Sequence, residues 1–125
     1  MAVGDVNGDG LDDILVGANA NDEGGNAAGK TYLILGASLG ASGTIDLSAA
    51  DYAFVGEAAS DVSGASVSSA GDVDGDGLAD ILFAADFSPG STPGKAYIFL
   101  GASLGAQSVP PLSSADYIVE SNTEV

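Results

Sequence analysis

Two stretches of this sequence set carboxylates at alternate positions along glycine-rich segments. The first is GDVNGDGLDDILVGA, Gly4 to Ala18, and the second is GDVDGDGLADILFAA, Gly71 to Ala85. Counted from Asp5, oxygen-bearing side chains fall at positions 1, 3, 5 and 9 as Asp5, Asn7, Asp9 and Asp13. Counted from Asp72, they are Asp72, Asp74, Asp76 and Asp80. Glycine holds position 6 (Gly10, Gly77), and Leu11 and Leu78 stand at position 7, where a backbone carbonyl can add an oxygen. Alternate side chains on a tightly turned loop converge on one point. The cation suited to such a cage is calcium, which takes about six to eight oxygens from a flexible loop. Magnesium keeps several waters and is rarely caged by protein alone. Zinc favours Cys and His, and the chain has neither. The sequence therefore predicts two calcium sites, with Asp5, Asn7, Asp9, Leu11 and Asp13 at one and Asp72, Asp74, Asp76, Leu78 and Asp80 at the other.

Two plainer readings compete. Asp-Gly and Asn-Gly are common hairpin turns. A two-residue turn, however, needs no acid at positions 1 and 9, and four aspartates gathered in one loop repel each other. An EF-hand or dockerin-type loop starts the same way, but needs a bidentate Glu at position 12 and a helix after it. Position 12 here is Val16 or Phe83, each inside an apolar run. The loop therefore closes at position 9 and continues into β structure. Asp12, whose counterpart is Ala79, reads as a solvated side chain.

The elements that position these loops follow from an internal repeat, the first thing to seek in such a chain. GKTYLILGASLGA (29–41) matches GKAYIFLGASLGA (94–106), and LSAADY (47–52) matches LSSADY (112–117). The offset is 67 at the acidic loops and 65 at the later pairs, so the unit is about 65 residues and has lost two before Gly94. Short apolar runs bounded by Gly, Asn, Asp, Ser and Pro predict strands at 13–18, 30–36, 51–56, 65–70, 80–85, 95–101 and 116–120. Several are apolar at consecutive positions, as in strands covered on both faces. A four-stranded antiparallel sheet repeated in tandem is the signature of β-propeller blades. The expected fold is all-β, with one blade over 1–57 and another over 58–125. Only Met1 to Gly4 precede the first acidic loop, so the first blade is expected to lack most of its first strand, which a neighbouring chain or a further N-terminal segment would supply.

Composition narrows the partners. Eighteen acidic residues against two lysines give a net charge of -16 in 125 residues. Binding nucleic acid or an anionic membrane needs clustered Lys or Arg, so neither is expected. Hydrophobic residues make up 46% and the mean hydropathy is +0.29, too apolar for a disordered acidic tail. No apolar run approaches a membrane span, and no signal peptide is visible. The absence of Cys excludes disulfides and thiolate chemistry. The absence of His leaves the serines without their usual base. Lys30 and Lys95 hold equivalent places at strand starts and read as structural, and Tyr52, Tyr97 and the recurring Tyr117 read as core. No catalysis is expected.

With these residues in view, the chain resembles the FG-GAP repeat of integrin α-subunit propellers, bacterial integrin-like proteins above all. FVGEAASDVSGASVSSAGDVDGDGLADILFAA (54–85) is similar to nearly a whole repeat: the Phe-x-Gly start, the Gly-x-Ser-Val strand and the acidic loop. The family's Gly-Ala-Pro ending is only partial, as Gly17-Ala18-Asn19 and Ala84-Ala85-Asp86. The resemblance implies calcium in the hairpin between the first two strands of each blade. It also implies a protein or glycan ligand on a face built by several blades, in an extracellular or cell-surface adhesion protein. An accessory propeller of a secreted enzyme, or a self-assembling two-blade unit, are the other expectations. Two repeats do not close a ring, so further blades or self-association are expected as partners.

Overall fold

A computed structural model describes residues 1–39, 43–85, 94–105 and 107–120. Eight strands run in chain order: β1 (Ala2–Gly4), β2 (Asp13–Ala18), β3 (Lys30–Ile34), β4 (Tyr52–Val55), β5 (Ser63–Gly71), β6 (Asp80–Ala85), β7 (Lys95–Phe99) and β8 (Tyr117–Glu120). They form two antiparallel sheets in the orders β1-β2-β3-β4 and β5-β6-β7-β8. The chain is all-β, as tandem four-stranded sheets of an open, partial propeller. Each hairpin from the first to the second strand of a sheet carries one acidic loop.

β1 does pair with β2, at Ala2↔Ile14 and Gly4↔Asp13. The Met1 amino group extends the pairing by donating to the Leu15 carbonyl at 2.7 Å. β1 has three residues where β5 has nine, and pairs at two positions where β5 pairs at six. The runs predicted at 30–36 and 95–101 end early, at Ile34 and Phe99. After each, the repeated Gly-Ala-Ser turns into a short 3-10 segment, Gly36–Ser38 and Gly101–Ser103. A second pair of 3-10 turns, Leu47–Ala49 and Leu112–Ser114, precedes β4 and β8.

The two sheets bury one core between them. Alternation along β2 and β3 points Leu15, Thr31 and Leu33 inward, and β4 adds Phe54, all fully buried. The facing set is Ile81, Phe83, Tyr97 and Phe99. The Phe54 ring lies 5.2 Å from that of Phe83 and 4.7 Å from that of Phe99, both tilted, the offset geometry aromatic pairs favour. Tyr97 is core as expected. Tyr117 is not: it stands 53% exposed on β8, where nothing among the described residues covers it. Tyr52 is half-buried, and its hydroxyl donates to the Gly105 carbonyl.

Candidate metal centre

The two acidic loops fold the same way, with matching backbone-to-aspartate hydrogen bonds. Asp72 at position 1 accepts from the backbone N–H groups of Gly75 (2.9 Å), Asp76 (3.1 Å) and Gly77 (2.8 Å). Asp5 accepts from Gly8 (2.7 Å), Asp9 (3.1 Å) and Gly10 (2.8 Å). Position 5 turns the chain back, with Asp9 accepting from Leu11 N–H and Asp76 from Leu78 N–H, each at 2.9 Å. Gly10 and Gly77 adopt φ of +87° and +88°, a left-handed conformation that other residues enter only at a cost. This is the sharp turn expected of position 6.

Position 9 has a second role that the spacing did not reveal. Asp80 is fully buried. One of its oxygens accepts from Val73 N–H at 2.8 Å and the other from Gly101 N–H at 2.9 Å. Asp13 repeats this with Val6 N–H (2.7 Å) and Gly36 N–H (2.8 Å). The carboxylate thus ties the loop's entry to the 3-10 turn after the third strand. A sequence signal was available: GASLGA recurs at 36 and 101. Asp51 and Asp116 use the same turns, accepting from Leu35 and Leu100 N–H and from the Ser38 and Ser103 hydroxyls. They explain the recurrence of Asp-Tyr better than a site does.

In the second loop the carboxylates converge. Asp72, Asp74 and Asp80 each present an oxygen within 4.8 Å of the others. Two oxygens bound to one calcium at about 2.4 Å each lie no more than about 4.8 Å apart, so the spacing fits a single ion. Each carboxylate oxygen has two lone pairs, which leaves acceptor capacity beside the backbone bonds. Among the described residues this is the one such trio of acids, and Asp76 is outside it. In the first loop the residue equivalent to Asp74 is Asn7, an amide rather than an acid.

The loop's electrostatics are uneven. Backbone N–H donors, Gly77 first, hold Asp72 below the ordinary carboxylate value. Loss of hydration, and then the neighbouring Asp76 and Asp72, raise Asp74. A depressed group stabilises the fold above its unfolded value, and loses that contribution as pH falls through the folded one. A raised carboxyl does the reverse, so ionised Asp74 is a cost at neutral pH that a cation would offset.

The lysines sit elsewhere. Lys30 pairs with Glu23 at 2.6 Å and lies over the Tyr32 ring. The Glu23 hydrogen bond raises its pKa, which keeps it protonated and unsuited to act as a base. Lys95 lies between Glu57 (3.6 Å) and Glu120 (3.7 Å). Glu57 also accepts the Tyr97 hydroxyl, whose pKa burial pushes well up.

Comparison with known proteins now decides the family. The FG-GAP repeat profile matches residues 1–34 and 63–99, that is, β1 to β3 with the first loop and β5 to β7 with the second. The chain belongs to the FG-GAP repeat family. It is 36% identical to human integrin alpha-IIb over 115 residues, covering 88% of this chain and 11% of that protein. It is 32% identical to integrin alpha-PS2 of Drosophila melanogaster over 128 residues, covering 97% and 8%. This FG-GAP chain therefore spans about a tenth of the length of these integrin alpha relatives. Among the described residues, no helix is long and apolar enough to cross a membrane.

Proposed function

We propose that the chain is a calcium-stabilised propeller module, non-catalytic and extracellular, that presents a surface for adhesion or other protein interaction. The observation that carries the calcium assignment is the convergence of Asp72, Asp74 and Asp80 within 4.8 Å on a loop whose backbone its own first aspartate already holds in place. Asp72, Asp74, Asp76 and Asp80 with the Leu78 carbonyl would hold one ion, and Asp5, Asn7, Asp9 and Asp13 with the Leu11 carbonyl the other. When bound, calcium supplies charge neutralisation and a crosslink, taking the formal charge from -16 to -12 with two ions. The chain's residues supply the frame: Asp13 and Asp80 fix the second strand of each sheet, and the glycines turn the loop. Similarity to integrin alpha chains supports the adhesion reading, and millimolar calcium outside cells suits such loops.

Thermal melts in calcium and in chelator test this. A ligand that binds only the folded state stabilises it by mass action, by about 2.7 kcal/mol at a hundredfold excess over Kd. A rise of several degrees in Tm with calcium, and none with magnesium, is expected. The benefit shrinks as the solution is acidified, because the aspartates bind calcium ionised and the pKa of Asp74 is raised above the ordinary carboxylate value. Equal melts in calcium and in chelator would refute the assignment.

A further inference from the structure

Several exposed apolar residues of this chain are, by repeat position, the partners of residues that are buried or half-buried between its two sheets. Val6 in the first loop is fully buried in the shared core, while its equivalent Val73 is 51% exposed. Phe54 on β4 is fully buried, and its equivalent Val119 on β8 is 60% exposed. Leu78 of the second loop packs against Gly8, where an added Cβ would lie 2.9 Å from its side chain. Its equivalent Leu11 is exposed, and Gly75, the equivalent of Gly8, has nothing within 4 Å. Backbone pairing shows the same pattern. Ala53 of β4 donates to the Ser108 carbonyl, and Ala79 of the second loop donates to the Asp5 carbonyl.

The opposite face of the first sheet supplies the other half. Phe83 and Tyr97, which cover the first sheet, correspond to Val16 and Tyr32. Both of these are only half-buried. The described residues therefore carry one complete sheet-on-sheet interface and two halves of another that no described residue matches.

We propose that these halves meet between copies: the free face around Val73 and Val119 of one copy receives the Val16–Tyr32 face of the next, head to tail. In that contact the Leu11 of the incoming copy covers Gly75, as Leu78 covers Gly8 within the chain. The Gly43 carbonyl, equivalent to that of Ser108, accepts from Ile118 N–H as Ser108 does from Ala53. Such an interface is heterologous, so it continues until the rotation closes a ring. With two sheets among the described residues of each copy and about four to eight blades in closed propellers, closure takes about two to four copies. The acidic surface opposes assembly, so added salt favours it.

Sedimentation equilibrium on the full chain at moderate salt tests this with two substitutions, each blocking one face. Val119→Glu and Val16→Glu alter residues that the monomer leaves exposed or half-buried, and circular dichroism melts confirm that each variant folds. The parent chain is expected to form a discrete oligomer of about two to four copies. Each variant alone is expected to be a monomer, and an equimolar mixture to stop at a one-to-one dimer. A parent chain monomeric at every concentration overturns the proposal. So does Val16→Glu that still dimerises alone, which would mean that the Val119 faces meet each other. If Val16→Glu does not fold, Tyr32→Glu takes its place with the same expectations.

Discussion

Replacing Asp80 with alanine is expected to lower the unfolding free energy by about 3 kcal/mol or more, since buried donors left unpaired cost about 1–3 kcal/mol each. The carboxylate is fully buried and takes hydrogen bonds from Val73 and Gly101. Alanine strands both N–H groups and frees the loop from the 3-10 turn it anchors. Asp80→Asn keeps the shape but turns an NH2 group toward one of the two donors, so most of the loss remains. Asp12→Ala, at an exposed position, is expected to change stability by less than about 0.5 kcal/mol, as surface substitutions do. Urea unfolding in chelator measures all three without any contribution from calcium. If Asp80→Ala is no worse than Asp12→Ala, the anchoring role assigned to position 9 is wrong.

Gly29→Ala is expected to be as damaging, by a route that no contact energy describes. An added Cβ would fall 2.1 Å from the Ser63 carbonyl oxygen and 2.4 Å from the Ser63 nitrogen, and both are backbone atoms. The residue also sits at φ +85°, where a Cβ costs about 1–2 kcal/mol before any clash. Ser63 opens β5, so relief requires the second sheet to move away from the first. A loss above about 3 kcal/mol, or failure to fold, is the expected outcome. At Gly105 an added Cβ meets nothing within 4 Å, so Gly105→Ala is expected to be neutral, or to stabilise by about 0.4–1 kcal/mol through the unfolded chain. Comparable effects at the two positions would contradict the close sheet-to-sheet approach at Gly29.

The strands and loops of this fold were legible because the repeat states each of them twice. Matching apolar runs placed β2 at Asp13–Ala18 and β6 at Asp80–Ala85, to the residue. Glycine at position 6 carried the turn that Gly10 and Gly77 make. What the sequence concealed are relations across elements. Nothing local in Asp-Asp-Ile-Leu says that Asp13 reaches 23 residues ahead to Gly36. Nor does Ser-Ala-Asp-Tyr say that Asp51 and Asp116 hold the ends of β3 and β7. The recurring tyrosines misled for the same reason. Tyr52 and Tyr117 share a local sequence, but the second sheet covers only the first of them. Repetition gives identical local structure, and burial depends on which neighbour follows.

The calcium assignment is the centre of this account, and isothermal titration of metal-free chain with calcium tests it most directly. A net charge of -16 attracts any cation weakly, so the decisive quantity is saturation at a fixed count rather than heat alone. The account predicts saturation at two ions per chain, with one lost in the Asp74→Ala variant. No saturable binding, or two ions still held as tightly after Asp74→Ala, would contradict it.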